Sequence, residues 1–287
     1  MSSSSTSSLA ELRQLMQAFT RPVFSEMGKG RLPKAVSHAA RLMGVQNTSV
    51  GELLQLSYER LRKSYRAEYI YKNEIASKIV FARHSPRTAS LVSELRVGDC
   101  ILDLAVFNGT STAYEIKTEY DSLARLPEQL AKYQEVFDKV FVVTHLEGVD
   151  AALQVAPAEV GVLALNRRGA LTRFRDALPN ASAIDHVALF RTLRQNEFLS
   201  ILARTHAWDG SGVPRGLLHG LALERFKELP AWVAHAQAVS ELRKRTGSTD
   251  LVDFLVQLPS CLRTLGLSEP LSGIGRSRLL DLLTLRV

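Results

Sequence analysis

The chain has 287 residues, of which 46% are hydrophobic and 23% charged, and it carries a formal net charge of +7. A chain of this length and composition can bury a large core as one domain or two, which excludes an intrinsically disordered polymer. It contains no run of about 18 apolar residues that would suggest a membrane span. Two cysteines, Cys100 and Cys261, are too few for a disulfide framework or a zinc site.

The residues at the start of the chain, Met1 to Ser8, are almost all serine or threonine. They contain no basic segment followed by an apolar one, as a secretory signal would. We therefore expect a disordered tail over residues 1–8 and a cytoplasmic location.

The spacing of apolar residues predicts three regions after this tail. They are a helical cap over 9–66, an α/β core over 67–180 and a helical region over 181–287. Within the core we expect a helix, three strands, a helix and three more strands, at about 67–83, 89–97, 101–107, 111–118, 125–137, 139–145, 159–166 and 171–175. Further helices are expected at about 184–206, 217–228, 231–246, 249–258 and 272–285.

The turn between the second and third strands decides which side chains share a face of the sheet. A two-residue Asn108-Gly109 loop would place Asp103 and Glu115 on opposite faces. A three-residue loop, 108–110, with Gly109 in a left-handed conformation, sets Phe107 opposite Ser111 and Asp103 opposite Glu115. We predict this bulged loop.

Asp103, Glu115 and Lys117 would then place two carboxylates and an ammonium on one surface. With the Ile116 carbonyl and water, these oxygens suit Mg²⁺ or Mn²⁺, and such a cation can activate water for attack on a phosphodiester. Asp99 competes with Asp103 as a ligand, but it follows Gly98 in a predicted turn. The simpler alternative is that Glu115 and Lys117 form the solvated face of an edge strand.

Over roughly residues 67–165 these motifs resemble the PD-(D/E)XK nuclease superfamily, although Leu102 stands where the family name has proline. The resemblance implies a restriction-endonuclease-like mixed β-sheet flanked by helices. Gln129-Leu-Ala-Lys-Tyr133 is similar to the Gln-x-x-x-Tyr signature of the RecB-type branch, and would position the substrate backbone. The alternative is a surface glutamine and a tyrosine packed on the sheet. Glu74 would be a further acidic residue of the catalytic site.

The charge distribution favours a polyanionic partner. Residues 101–159 carry a net charge of −6, so the rest of the chain carries +13. An acidic pocket attracts cations and a basic surface attracts phosphates. The candidate nucleic-acid contacts are Arg96, Lys72, Lys78, Arg83 and His84.

Together these features predict a Mg²⁺-dependent deoxyribonuclease that acts in genome defence or DNA repair. RNA is an alternative substrate, and cutting both strands of a duplex would favour a homodimer. The rival interpretations are an inactive protein of the same fold that binds nucleic acid or a protein partner, and a regulatory DNA-binding protein whose helical flanks carry the function.

Overall fold

The computed structural model describes residues 8–83, 87–246 and 248–287, without the side chain of Arg83. The described part divides into two compact units. The first consists of residues up to 78 together with 166–170 and 250–287, and the second of 79–165 and 171–249. The two units are defined by which parts of the chain pack together, whereas the three regions expected from the sequence are consecutive stretches of the chain.

Fourteen α-helices form within the described residues. In chain order they are α1 (Leu9–Met16), α2 (Arg21–Gly28), α3 (Lys34–Met43), α4 (Val50–Ser64), α5 (Glu68–Ile75), α6 (Leu126–Gln134), α7 (Val149–Val155), α8 (His186–Arg191), α9 (Gln195–His206), α10 (Arg215–Lys227), α11 (Ala231–Arg243), α12 (Thr249–Gln257), α13 (Arg263–Ser268) and α14 (Gly273–Thr284). Helix α5 continues as a π-helix over Ala76–Arg83.

The first unit contains the helices at both ends of the chain, α1 to α5 and most of α12 to α14. Ser8, which the sequence places in the tail, is the N-cap of α1: its hydroxyl accepts from the Glu11 amide and the Glu11 carboxylate accepts from the Ser8 amide. This capping box satisfies two backbone groups that the first helical turn would leave unpaired. Residues 1–7 of the expected tail lie outside the described part of the chain.

The second unit is built on a six-stranded mixed sheet in the order β1-β2-β3-β4-β5-β6. The strands are β1 (Ser90–Val97), β2 (Cys100–Phe107), β3 (Ser111–Lys117), β4 (Lys139–His145), β5 (Gly161–Leu165) and β6 (Leu171–Arg175). Strands β3, β4 and β5 are parallel, and the other neighbouring pairs are antiparallel. The expected mixed α/β architecture with flanking helices is confirmed, and every strand begins and ends within two residues of its predicted bounds.

One face of the sheet forms the main core of this unit. Side chains such as Ala105, Ala113 and Val142 pack there against residues of α6 and of the helices α8 to α11. The aromatic rings of Phe190, Phe198 and Phe226 lie in this cluster. The cluster fixes α6 over the sheet because Leu126 and Leu130 are fully buried.

The loop between β2 and β3 has the predicted bulged form. Phe107 pairs with Ser111 and Leu104 with Tyr114, which is the register of a three-residue connection. Gly109 has a φ of 99°, a conformation that side chains with a Cβ rarely adopt. This register places Asp103 opposite Glu115.

The regular alternation of side chains is interrupted at Asp103. Leu102 and Ala105 lie in the same core cluster although they are an odd number of residues apart. On the neighbouring strand, Glu94 has a φ of 56° between the pairs Ser93–Leu104 and Leu95–Leu102. This left-handed residue lets the alternation of inward and outward side chains shift in β1 and β2 at the same pair of residues, as a bulge does.

A buried polar cluster lies at the opposite end of β3. Ser111 Oγ is 2.7 Å from His235 Nε2 of α11 and accepts from the Asp138 amide at 3.0 Å. Asp138 also accepts from the Thr110 hydroxyl at 2.6 Å. Burial lowers the pKa of His235, against the opposing effect of the Asp138 carboxylate.

We predict that folding stability falls as the pH drops below 6.5, the ordinary pKa of histidine. In that range the unfolded chain binds a proton that the folded His235 resists, at a slope of up to about 1.4 kcal/mol per pH unit. Urea denaturation between pH 7 and pH 5 should show a smaller slope for His235→Gln than for the wild type. Equal slopes for the two proteins would contradict the attribution of this pH dependence to His235.

Candidate functional site

Strands β2 and β3 and helix α6 bring the predicted site residues together. Glu115 and Lys117 alternate in phase with Ala113, so they lie on the sheet face that α6 covers. Gln129 and Tyr133 are one helical turn apart on α6 and reach these two side chains.

Glu115 is a buried carboxylate with two partners. It is only 2% exposed. Lys117 Nζ lies 2.9 Å from Oε1, and the Tyr133 hydroxyl lies 3.0 Å from Oε2. The lysine side chain is also largely buried, at 11% exposure. A carboxylate removed from water in this way requires such compensation.

Lys117 is held in place by a second contact. Its Nζ donates to Gln129 Oε1 at 2.9 Å as well as to Glu115. Two fixed acceptors therefore restrict an otherwise flexible side chain. Gln129 and Tyr133 therefore both contact the Glu115–Lys117 pair, whereas their contact with a substrate stays a prediction.

Asp103 is half-buried beside this pair. The backbone pairs of β2 with β3 run from Phe107–Ser111 to Leu104–Tyr114. One residue further, Asp103 Oδ2 accepts from the Ile116 amide at 2.8 Å. The carboxylate thus takes the place of a strand carbonyl and is fixed to the backbone of the residue that follows Glu115.

Tyr133 acts here as a neutral hydroxyl. Burial, and then the neighbouring Glu115 carboxylate, raise the pKa of Tyr133 well above its usual value. Its oxygen lies 3.2 Å from the Ile101 carbonyl in addition to its contact with Glu115. A phenol that keeps its proton can orient Glu115 but cannot serve as a base at neutral pH.

The donor set of this site fits a hard divalent cation. Among the described residues, no group of three or more His, Cys, Asp and Glu side chains is arranged to hold a metal ion. A cation at this position would therefore depend on Asp103, Glu115, the Ile116 carbonyl and water. Mg²⁺ accepts such an incomplete protein shell because it retains several of its waters.

Glu74 contacts residues of the first unit. Its carboxylate accepts from the Tyr58 hydroxyl at 3.0 Å and lies 3.7 Å from Arg62 and 3.6 Å from Lys78. These contacts give Glu74 a structural role within that unit. Its role in catalysis stays a prediction.

The predicted nucleic-acid contacts have different surroundings. Lys72 is only 7% exposed and forms an ion pair with Glu68, so the expectation that it lines an open DNA track is not met. Lys78 is partly exposed but contacts Glu74, while Arg96 is exposed on β1. His84 and the side chain of Arg83 lie outside the described part of the structure.

Two residues shape the site through their backbone in ways that the sequence did not predict. Glu94 lies across from Asp103 and permits the change of phase between the strands, and Ile101 contributes its carbonyl to Tyr133 while its side chain is 53% exposed. The sequence gives no local signal for either role, because glutamate does not favour a left-handed backbone and the carbonyl contact at Ile101 does not depend on the type of side chain. Asp99 is exposed in the turn after Gly98, as the sequence indicates.

The fold and the site together define a mixed α/β protein with an acidic and lysine-bearing face at the ends of two paired strands. Residues 61–248 match the family described as Bacteriophage P4 protein cII. This match covers all six strands and every residue of the strand site, so the chain belongs to that family.

Two individual proteins show more limited similarity. Protein cII of Enterobacteria phage P4 is 28% identical over 125 residues, which cover 43% of this chain and 44% of that protein. The chain thus spans less than half the length of this curated relative. A solved structure, the SPO1766 protein of unknown function from Silicibacter pomeroyi, is 17% identical and covers 49% of this chain and 92% of its own, with a TM-score of 0.32. None of the described helices is both long and apolar enough to cross a membrane.

We predict that Lys117→Met lowers the free energy of unfolding by about 3 kcal/mol, because it leaves the buried Glu115 carboxylate without its cation. Combining it with Glu115→Gln should recover much of this loss. Chemical denaturation of the two single variants and the double variant measures the coupling.

Lys132→Met is the matched control for this experiment. Lys132 of α6 pairs with Glu135, the C-cap of that helix, but both side chains are 39% exposed. Its loss should cost less than about 1 kcal/mol. Equal costs for the two lysines would contradict the buried ion pair.

Proposed function

We propose that this protein is a Mg²⁺-dependent nuclease with a restriction-endonuclease-like core, and that it hydrolyses phosphodiester bonds of DNA. The observation that carries the proposal is that Asp103 accepts from the amide of Ile116, the residue after Glu115, while Lys117 Nζ lies 2.9 Å from Glu115. Asp103, Glu115 and Lys117 are also the residues that match the catalytic motif in the resemblance to the PD-(D/E)XK superfamily.

Asp103, Glu115 and the Ile116 carbonyl would hold the cation. When bound, Mg²⁺ supplies a more acidic water and a charge that stabilises the phosphate in the transition state. The fixed carboxylates contribute by being aligned before substrate arrives. Asp103 is held by the Ile116 amide and Glu115 by Tyr133, so neither pays a large cost of reorientation.

Lys117 would orient the attacking water and stabilise charge on the phosphate. Its ammonium already lies between Glu115 and Gln129, so a cation that takes over the charge of Glu115 would leave Lys117 available to the substrate. Gln129 would then fix the direction of the lysine and contact the nucleic-acid backbone. RNA is an alternative substrate, because no described residue of the site reads a 2′-hydroxyl.

A catalytically inactive scaffold is the second candidate. Its support is the burial of Glu115, whose two oxygens both have protein partners. In such a protein the ion pair would stabilise the fold, and nucleic acid or a protein partner would bind elsewhere.

The decisive experiment is a cleavage assay with Mg²⁺ and with Mn²⁺ on linear duplex, circular duplex, single-stranded DNA and RNA. Wild-type protein should cleave DNA, and Asp103→Ala and Lys117→Ala should each lower the rate by at least about 100-fold. Cleavage of circular DNA would identify an endonuclease.

Asp99→Asn is the control variant. It removes one carboxylate from an exposed turn and should leave the rate unchanged. Failure of the wild type to cleave any substrate would favour the inactive scaffold, and equal cleavage by the wild type and Lys117→Ala would refute the assigned site.

A further inference from the structure

We infer that the first unit carries a phosphate-binding groove between α1 and α3 that anchors a nucleic-acid strand. The groove is lined by polar and basic side chains and encloses about 360 Å³. Its lining residues are Gln14, Gln17, Lys34, Ala35, His38 and Arg41. This inference goes beyond the proposed nuclease and does not depend on cleavage.

The charge of the protein is concentrated in the unit that contains this groove. Each unit has 18 lysines and arginines, but only ten of the 29 acidic residues belong to the first unit. The first unit therefore carries +8 and the second −1. A positive field of this kind raises the local concentration of polyanions.

Several cations of the first unit have acidic partners, but the cations of the groove do not. Lys29 and Arg31 both pair with Glu26, and Arg21 pairs with Glu269. Within the described part of the chain, no acidic side chain pairs with the two cations of the groove, Lys34 and Arg41. Unneutralised positive groups that line one groove are the arrangement that binds phosphate.

Hydrogen bonds hold the basic side chains in position. Arg41 donates to His38 Nδ1 across 3.2 Å, and His38 Nε2 lies 3.0 Å from Gln14 Oε1. The guanidinium is thereby fixed before a ligand arrives, which reduces the entropy lost on binding. Pro33 precedes the helix and has no side-chain group to cap its first turn, so the positive end of the helix dipole adds to the field.

The spacing of these residues fits a linear array of phosphates. Lys34, His38 and Arg41 lie four and three residues apart on one face of α3. Seven residues of helix rise about 10 Å, which is close to the axial rise of three nucleotides in one strand. Gln14 and Gln17, on the other wall, offer amide groups for the sugar and phosphate oxygens.

A lipid surface fits this groove less well. Val36 and Ala39 of α3 are fully buried, Leu42 and Met43 are partly buried, and Ala35 is the only apolar residue in the lining of the groove. A helix that inserts into a membrane interface must expose its apolar face. We therefore assign a nucleic-acid backbone as the ligand.

The test measures binding of a 30-base-pair duplex to the full-length Asp103→Ala protein in EDTA, where no cleavage occurs. Fluorescence anisotropy is recorded between 50 and 200 mM salt. Lys34→Gln/Arg41→Gln should weaken binding about tenfold and lower the slope of log K against log salt by about 1.8, which corresponds to two lost phosphate contacts. The charge-preserving pair Lys34→Arg/Arg41→Lys should bind nearly as the parent does.

The matched control is Lys29→Gln/Arg31→Gln, which removes the same charge from two residues that lie outside the groove and share the Glu26 carboxylate. It should leave affinity and slope almost unchanged. Equal losses in the two glutamine variants, or no loss in either, would overturn the inference. Preferential binding of phosphatidylserine vesicles or of polyglutamate over duplex, removed by Lys34→Gln/Arg41→Gln, would overturn it as well.

Discussion

The buried Glu115 carboxylate is the constraint on which the candidate site depends. At 2% exposure its charge must be compensated within the protein, and Lys117 and Tyr133 supply that compensation at 2.9 and 3.0 Å. Each partner is itself fixed, Lys117 by Gln129 and Tyr133 by the Ile101 carbonyl. The side chains therefore form one connected network, which helps align β2, β3 and α6.

This network also explains why the sheet is irregular at the same level. Asp103 replaces a backbone acceptor for the Ile116 amide, and Glu94 adopts a left-handed conformation across from it. Such departures from regular strand geometry cost free energy and persist where the surroundings enforce them. Here they fix the Asp103 carboxylate on the backbone of Ile116, the residue after Glu115.

Much of the second unit could be predicted because its signals are local. A period of two in β3 places Glu115 and Lys117 together, and the Gly109 loop sets the register with Asp103. The phase change at Glu94 could not be predicted, because it depends on packing from several strands. Helix α7, between β4 and β5, was not among the predicted elements. The single helix expected over 184–206 is divided into α8 and α9.

The first unit was harder to predict because its contacts join distant parts of the chain. Residues of α12 to α14 pack with the N-terminal helices, so chain order does not reveal the unit. Tertiary burial was also not predictable for the single residue Lys72. Its position on a helix suggested an exposed charge, but packing leaves it 7% exposed beside Glu68. The unequal distribution of acidic residues between the units became visible only once the units were known.

The most direct measurement of the central claim is a calorimetric titration of Mn²⁺ into the wild type, Asp103→Asn and Asp99→Asn. The account predicts one site per chain in the wild type and an affinity for Mn²⁺ that is weaker by at least about tenfold in Asp103→Asn. Asp99→Asn should bind as the wild type does. Equal binding by all three proteins, or no binding by the wild type, would contradict a cation site formed by Asp103 and Glu115.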